Sequence, residues 1–328
     1  CKLPIQRQTV QQISDTIKKF RKGSKILILA PVVRGRKGEH RGVLSEIKKE
    51  GFLRIRINGK IYSIEEKIQI ERSFTDVISD YHQLTKPGIT LAVLASMLVG
   101  FVLGSGSSFN FILMIHAIIG TYMIAAGTGA YNQFMERRLD GLMKRTAKRP
   151  LPDNRIAASS GMFFSLILIF SGLVYLFILV NPLAGAISFA TTFIYLIAYT
   201  PMKQVSAFNI VIGAVPGALP PVGGWAAASG TIESPGMWLL FGIVFLWQVP
   251  HVMAIAWSLK DDYFGAGFKM LPKNDETGRK TSLWSLVCTI LLYPVSIAMF
   301  GMGISGMIFL VLSLLLATGF LYYSIKFP

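Results

Sequence analysis

Between Pro87 and the end of the chain lie eight long apolar runs without Asp, Glu, Lys or Arg, at about 88–105, 109–131, 157–180, 182–200, 207–229, 236–258, 282–301 and 303–325. A hydrocarbon layer about 30 Å thick is crossed by a helix of roughly 17–25 residues. Inside that layer each backbone N–H and C=O has to find its partner within the segment, so runs of this length become helices. The sequence therefore predicts an all-α polytopic membrane bundle of about eight helices.

Charge fixes how the bundle sits. If the first run starts on side one, that side's segments carry Lys86, seven basic residues in 131–155, Lys203, five in 260–281, and Lys326. The opposite loops (105–108, 181–182, 229–236 and 301–303) carry no Lys or Arg. Positive charge stays inside, so side one and both termini are expected in the cytoplasm, at a bacterial inner membrane. The formal net charge of +16 suggests nucleic acid only for a soluble protein; no nucleic-acid partner is expected for the membrane domain, whose partner is the lipid bilayer.

Residues 1–81 have a different composition, with 18 of the 33 Lys and Arg and 9 of the 17 Asp and Glu. An amphipathic helix is expected over 5–22, an extended apolar run at 25–32, a basic loop at 34–40, helix over 41–50, and a hairpin over 52–64 turning at Asn58-Gly59. These make a small soluble α/β piece. The first 25 residues have no apolar signal core, and Cys1 in place of Met suggests a fragment or processed end. Cys1 and Cys288 are too few for a disulfide framework.

Three constellations on the basic side carry chemistry. In YNQFMERRLDGLMKRTAKRPLP (131–152), helical continuation of the second run sets Asn132, Glu136 and Asp140 at i, i+4 and i+8, drifting about 40° per step. Three oxygen-bearing side chains on one stripe suit a hard cation such as Mg²⁺, which takes one or two carboxylates and completes its shell with water and phosphate oxygens. Lys144, Arg145, Lys148 and Arg149 follow and could grip phosphates; a solvated loop with i, i+4 ion pairs is the plain alternative. HVMAIAWSLKDDYFGAGFKMLP (251–272) places Asp261 and Asp262 at the same side's exit of the sixth run. His251 lies two to three turns inside that run, as a functional group or a helix–helix hydrogen bond. The third, 199–230, holds Pro216, Pro220, Pro221 and four glycines. It predicts a broken or kinked helix lining a pocket, with Lys203 and Asn209 at its mouth.

Asn-x-x-x-Glu-Arg-x-x-Asp followed by MKRTAKRPLP resembles the first aspartate-rich motif of the UbiA superfamily of intramembrane prenyltransferases. NQFMER, FNIVIGAVPGALPPVGGW, WQVPH and DDYFGAGFKMLP together resemble its haem-farnesylating branch, over about 74–328. Gln133 stands where the quinone-precursor branch usually has Asp. The resemblance implies Mg²⁺-dependent transfer from farnesyl diphosphate to a vinyl group of haem B, with water added to give haem O. In this reading Asn132, Glu136, Asp140, Asp261 and Asp262 hold Mg²⁺. Lys144, Arg145, Arg149, Lys203, Asn209, His251 and Tyr263 bind substrate, with Tyr131, Tyr199 and Trp247 as further shields for an allylic cation. Other readings are a membrane prenyltransferase with an aromatic or chlorin acceptor, and a non-enzymatic ion-binding transporter or scaffold. The family carries nine spans, so a missing ninth helix is expected.

LPIQRQTVQQI, KILILAPVVRGRKGEH and GFLRIRINGKIYSIEE resemble part of the first protein of the excinuclease ABC repair system, from the region that docks the second. No GxxxxGK[ST] loop is present, so ATPase activity does not follow. The expected division is 1–73 and 74–328, joined near Ser73 by a gene-fusion or assembly accident or by an engineered join.

Overall fold

The computed structural model describes residues 10–21, 46–57, 60–63, 74–272 and 275–326. Cys1, the apolar run 25–32, the basic loop 34–40 and the Asn58-Gly59 turn lie outside the described residues. The chain separates into two compact units, Cys1–Asp76 and Val77–Pro328.

The first unit contains helix α1 (Val10–Lys18) and strands β1 (Arg54–Ile57) and β2 (Lys60–Ser63). The strands pair antiparallel, with Arg54 opposite Ser63 and Ile57 opposite Lys60. That register leaves two residues to join them, the spacing expected of a tight hairpin.

Helix α2 (Phe74–Leu84) leads into the second unit. Its Tyr81 and Leu84 pack on Ala130, Leu151 and Ile156, fixing its last turns to the bundle. Eight helices among the described residues are long and apolar enough to cross a membrane: α3 (Pro87–Ser105), α4 (Phe111–Asp140), α5 (Ala158–Leu179), α6 (Pro182–Met202), α7 (Asn209–Ser229), α8 (Pro235–Ser258), α10 (Arg279–Gly301) and α11 (Met307–Ile325). A short helix, α9 (Lys260–Gly265), follows α8. The ends follow local chemistry. Pro87 and Pro182 occupy first-turn positions, where a missing N–H costs nothing. Asn110 and Asn181 accept from the N–H groups of Leu113 and Ala184 at 3.0 and 2.8 Å. Gly230, with φ 72°, closes α7.

α7 is the most buried span and packs on α3, α6 and α8. Its contact with α3 requires glycine: a Cβ on Gly224 would enter the Met97 carbonyl, and one on Gly100 the Pro221 carbonyl. The sequence predicts a broken or kinked helix lining a pocket; the break is corrected, while Pro216, Pro220 and neighbouring glycines do line a cavity. Pro216, Pro220 and Pro221 lie inside one continuous helix of 21 residues. Burial on several sides holds the axis together although prolines remove helical hydrogen bonds. The irregularity lies in α6 instead, as a π-helical turn at Ile194–Tyr199.

Candidate active site

α4 is 30 residues long, about 45 Å at 1.5 Å per residue, more than the hydrocarbon requires. Its surplus C-terminal turns carry the predicted stripe. Asn132, Glu136 and Asp140 are all buried, at 0, 6 and 1% exposure, which excludes the solvated-loop alternative. Each oxygen meets a cation from a different part of the chain. Lys86 Nζ donates to Asn132 Oδ1 at 2.6 Å, Lys203 Nζ to Glu136 Oε1 at 2.7 Å and Arg149 Nη1 to Asp140 Oδ2 at 2.7 Å. Asn132 Nδ2 donates to Thr200 Oγ1 at 3.1 Å, which fixes which way its amide points.

Burial opposes the charge on Lys203, but the Tyr199 and Glu136 oxygens outweigh it and hold its pKa above the ordinary lysine value. Lys86, with only an amide oxygen as partner, is pushed down to about 7. Burial does most of this; Glu136 opposes it, while the charges of Arg149 and Lys203 reinforce it. Lys86 is a site residue that the sequence marks for orientation and otherwise leaves unremarked. Its only local mark is the following Pro87, which starts α3 and leaves Lys86 in a left-handed conformation with φ 49°.

The 141–157 segment is anchored on both sides. Arg155 pairs with buried Asp80 of α2 and with Asp153 at 3.0 Å, and donates to the Lys148 carbonyl at 2.7 Å. Thr146 Oγ1 donates to the Asp140 carbonyl at 2.7 Å. Gln133 is a fastener: its Nε2 donates to the carbonyls of Gln83 and Leu84 at 3.2 and 3.0 Å. Lys144 is exposed.

The second acidic motif reaches the same neighbourhood through other atoms. Arg145 Nη2 donates to Tyr263 Oη at 3.1 Å. Met143 shares a buried cluster with Phe268, Met270 and Leu271. Lys269 N donates to the Lys203 carbonyl at 2.7 Å. Buried Asn209 bridges the Ser206 and Lys269 carbonyls at 2.6 and 3.0 Å, while its Oδ1 has no partner. The two loops thus meet. Asp261 and Asp262 lie in the first turn of α9, directly before Tyr263.

From Lys86 a largely apolar cavity of about 570 Å³ runs between α3, α4, α6, α7 and α8. Tyr195 and Tyr199 line it near Lys86, and Trp247, Gln248 and His251 line its α8 wall. His251 stacks on Trp247 of the same helix, with centroids 4.9 Å apart and planes 13° apart, and both line the cavity. Tyr131, tilted on Phe134 at 5.6 Å, is not among the lining residues.

Among the described residues, no three His, Cys, Asp or Glu side chains are grouped to hold a metal by themselves. Mg²⁺ needs no such group when phosphate oxygens and water complete its shell. The donor set fits it: three buried oxygens on one stripe, each already facing a positive charge.

The family model described as the UbiA prenyltransferase family matches residues 93–328. The chain belongs to the UbiA prenyltransferase family. It is thus a prenyltransferase and an integral membrane protein. Among its curated UbiA relatives, a protoheme IX farnesyltransferase of Solibacter usitatus is 42% identical over 256 residues, 75% of this chain and 87% of the relative. Another, of Opitutus terrae, is 39% identical, covering 76 and 84%. The fold resembles a UbiA homolog from Archaeoglobus fulgidus bound to DMAPP and Mg²⁺, with a TM-score of 0.61 at 16% identity, covering 75% of this chain and 86% of that one. It also resembles a structure described as digeranylgeranylglyceryl phosphate synthase, with a TM-score of 0.64 at 16% identity, covering 76 and 87%. Residues 8–79 match a second model, the UvrA interaction domain.

Proposed function

We propose that this chain transfers the farnesyl group of farnesyl diphosphate to a vinyl carbon of haem B, with water added, to give haem O for haem A and cytochrome oxidase maturation. The observation that carries this reading is the buried oxygen stripe with its three cations at the mouth of an apolar cavity. The identity to protoheme IX farnesyltransferases supports the choice of donor and acceptor.

Mg²⁺, when bound, neutralises the diphosphate and eases its departure. Asn132, Glu136 and Asp140 would hold it, with Asp261 and Asp262 approaching from α9. Glu136, Asp140, Asp261 and Asp262 suit the metal, and Lys86, Lys203 and Arg149 suit the diphosphate, so each half of a magnesium–prenyl diphosphate meets opposite charge. As it arrives, the three cations exchange carboxamide and carboxylate oxygens for phosphate oxygens, with no new charge to desolvate. Arg145 and Lys144 stand ready outside. Asn209 ties the 203–209 segment to the second loop and so keeps Lys203 in place. The farnesyl tail lies along the cavity, where its apolar surface leaves water. Tyr199 and Trp247 present π faces to the allylic centre, and His251 faces the porphyrin. Tyr263 holds Arg145 near the leaving group.

The test is incubation of membranes with haem B and labelled farnesyl diphosphate, with and without Mg²⁺, read by mass spectrometry. Haem O formed only with Mg²⁺ is expected; prenylation of an aromatic or chlorin acceptor instead assigns another branch.

We further propose that the basic loops and both termini lie in the cytoplasm of a bacterium, at the inner membrane. The chain then divides into a soluble piece, 1–73, and the prenyltransferase, 74–328. The soluble piece is proposed to keep a docking surface for the second protein of the excinuclease ABC system, a reading supported by the match over 8–79. A pull-down with that second protein tests it.

A further inference from the structure

Two glycines on one face of α7 receive polar side chains from its neighbours. A methyl on Gly213 would stand 2.5 Å from Tyr199 Cε2 of α6, and a methyl on Gly217 would run into the Gln248 carboxamide of α8, with Cδ at 2.8 Å. Gly213, Gly217, Tyr199 and Gln248 all line the cavity. The glycines are four residues apart, so the Gln248 carboxamide sits about one turn, or ~6 Å, deeper than the Tyr199 ring. Tyr199 marks the diphosphate end, because Lys203 Nζ lies 4.6 Å from its ring centroid and 2.7 Å from Glu136.

An amide at this depth in an apolar channel costs free energy unless it is used. Gln248 Nε2 donates once, to the Val244 carbonyl of its own helix at 3.2 Å. Its second N–H and its Oε1 make no other hydrogen bond among the described residues, and the carboxamide rests on Gly217 at the cavity wall. Pro221 has no N–H to offer, so the Gly217 carbonyl loses its usual helical donor. The Gln248 carboxamide brings a donor and an acceptor to an otherwise apolar wall. A water molecule, which both donates and accepts, matches them.

We infer that Gln248, seated over Gly217, positions the water that completes the reaction, an inference that rests on the farnesyl-transfer reading. The C1–O bond breaks with its electron pair leaving on diphosphate. The vinyl π pair forms the new C–C bond at C1, which leaves a cation on the carbon next to the porphyrin ring. A water lone pair closes the C–O bond there, and the water proton passes to His251, one turn along α8. Without a positioned water, the same cation loses a proton from the neighbouring CH₂ and gives an alkene lighter by one water. Gln248 thus decides which product forms, while C–C bond formation does not need it.

The experiment measures the ratio of hydrated to dehydrated farnesyl-haem by mass spectrometry, in membranes with wild type, Gln248→Leu and Gly217→Ala. The Gly217→Ala methyl displaces the carboxamide without removing it and so serves as an independent variant. Both variants are expected to keep total farnesylation within a few-fold and to move the ratio toward the alkene by about tenfold or more. Wild-type ratios in Gln248→Leu overturn the inference. So does loss of both products in the two variants, since a residue serving only the water is not needed for the C–C bond. Absence of any farnesylated haem from wild type fails the farnesyl-transfer reading itself, and that outcome is read separately.

Discussion

Lys203 Nζ lies 2.7 Å from Glu136 Oε1, with both side chains largely buried. One ammonium thus ties the end of α6 to the C-terminal turns of α4, where a metal would otherwise neutralise the carboxylate. Removing one member of a buried pair strands the other charge, at a cost of about 3–5 kcal/mol. Lys203→Met should lower the melting temperature in detergent by several degrees. Added Mg²⁺ should restore part of that loss, because one cation replaces another at Glu136. Equal Mg²⁺ shifts in Lys203→Met and in Lys203→Met/Glu136→Gln count against Glu136 as a metal oxygen.

Asp140 carries the same logic into turnover. Asp140→Asn keeps the shape of the side chain and removes its charge from the buried pair with Arg149. Transfer should fall at least about 100-fold, the scale of losing one well-placed electrostatic group, with the protein still in the membrane fraction. Undiminished Mg²⁺-dependent turnover would remove Asp140 from the site.

Lys86 predicts a pH dependence. Its folded pKa of about 7 lies below the ordinary lysine value of 10.5, so between those values the unfolded chain binds the extra proton. Stability should therefore rise with pH from about 7 toward 10.5, and the full penalty of the buried charge applies below 7. Diphosphate binding favours the charged form and should weaken as pH rises above about 7. Lys86→Met should flatten both profiles. Titration of melting temperature and of diphosphate affinity in the two proteins tests this, with the substrate's own ionisation common to both.

Arg155 bridges Asp80, Asp153 and the Lys148 carbonyl, and Asp80 is the buried partner. Arg155→Met leaves that carboxylate uncompensated and should cost about 3–5 kcal/mol, against less for Asp80→Asn, which removes the charge. Thermal melts of both variants give the comparison. Equal losses would mean that the ion pair does not organise the 141–157 segment.

The α3–α7 contact is rigid on both sides. A Cβ at Gly100 meets backbone atoms of Pro221, which cannot rotate away. Gly100→Ala should cost about 1–3 kcal/mol or more. Gly88→Ala, on the same helix with open space around the glycine, is the control and should be near neutral.

The oxygen stripe was legible because it is local: Asn132, Glu136 and Asp140 lie within nine residues, and helical geometry alone sets them on one face. Lys86 was not, because its role comes from Asn132, 46 residues away. The proline-rich α7 misled for a related reason. Pro216, Pro220 and Pro221 weaken an isolated helix, but the neighbours that bury α7 are unknown to the local sequence. Gln133 marks only a difference between branches in the sequence, and its partners, the α2 carbonyls, appear only in the fold.

Sequence alone determined the spans, the one-sided distribution of loop charge and the family, since hydrocarbon permits one backbone solution for long apolar runs and loop charge breaks the symmetry between the two sides. Tertiary structure decided which cation meets which oxygen, and that the second loop reaches the first through Tyr263, Lys269 and a shared apolar cluster. It also decided that two glycines of α7 open notches for Tyr199 and Gln248. Those contacts are set by side-chain packing between helices distant in sequence, and no local pattern encodes them.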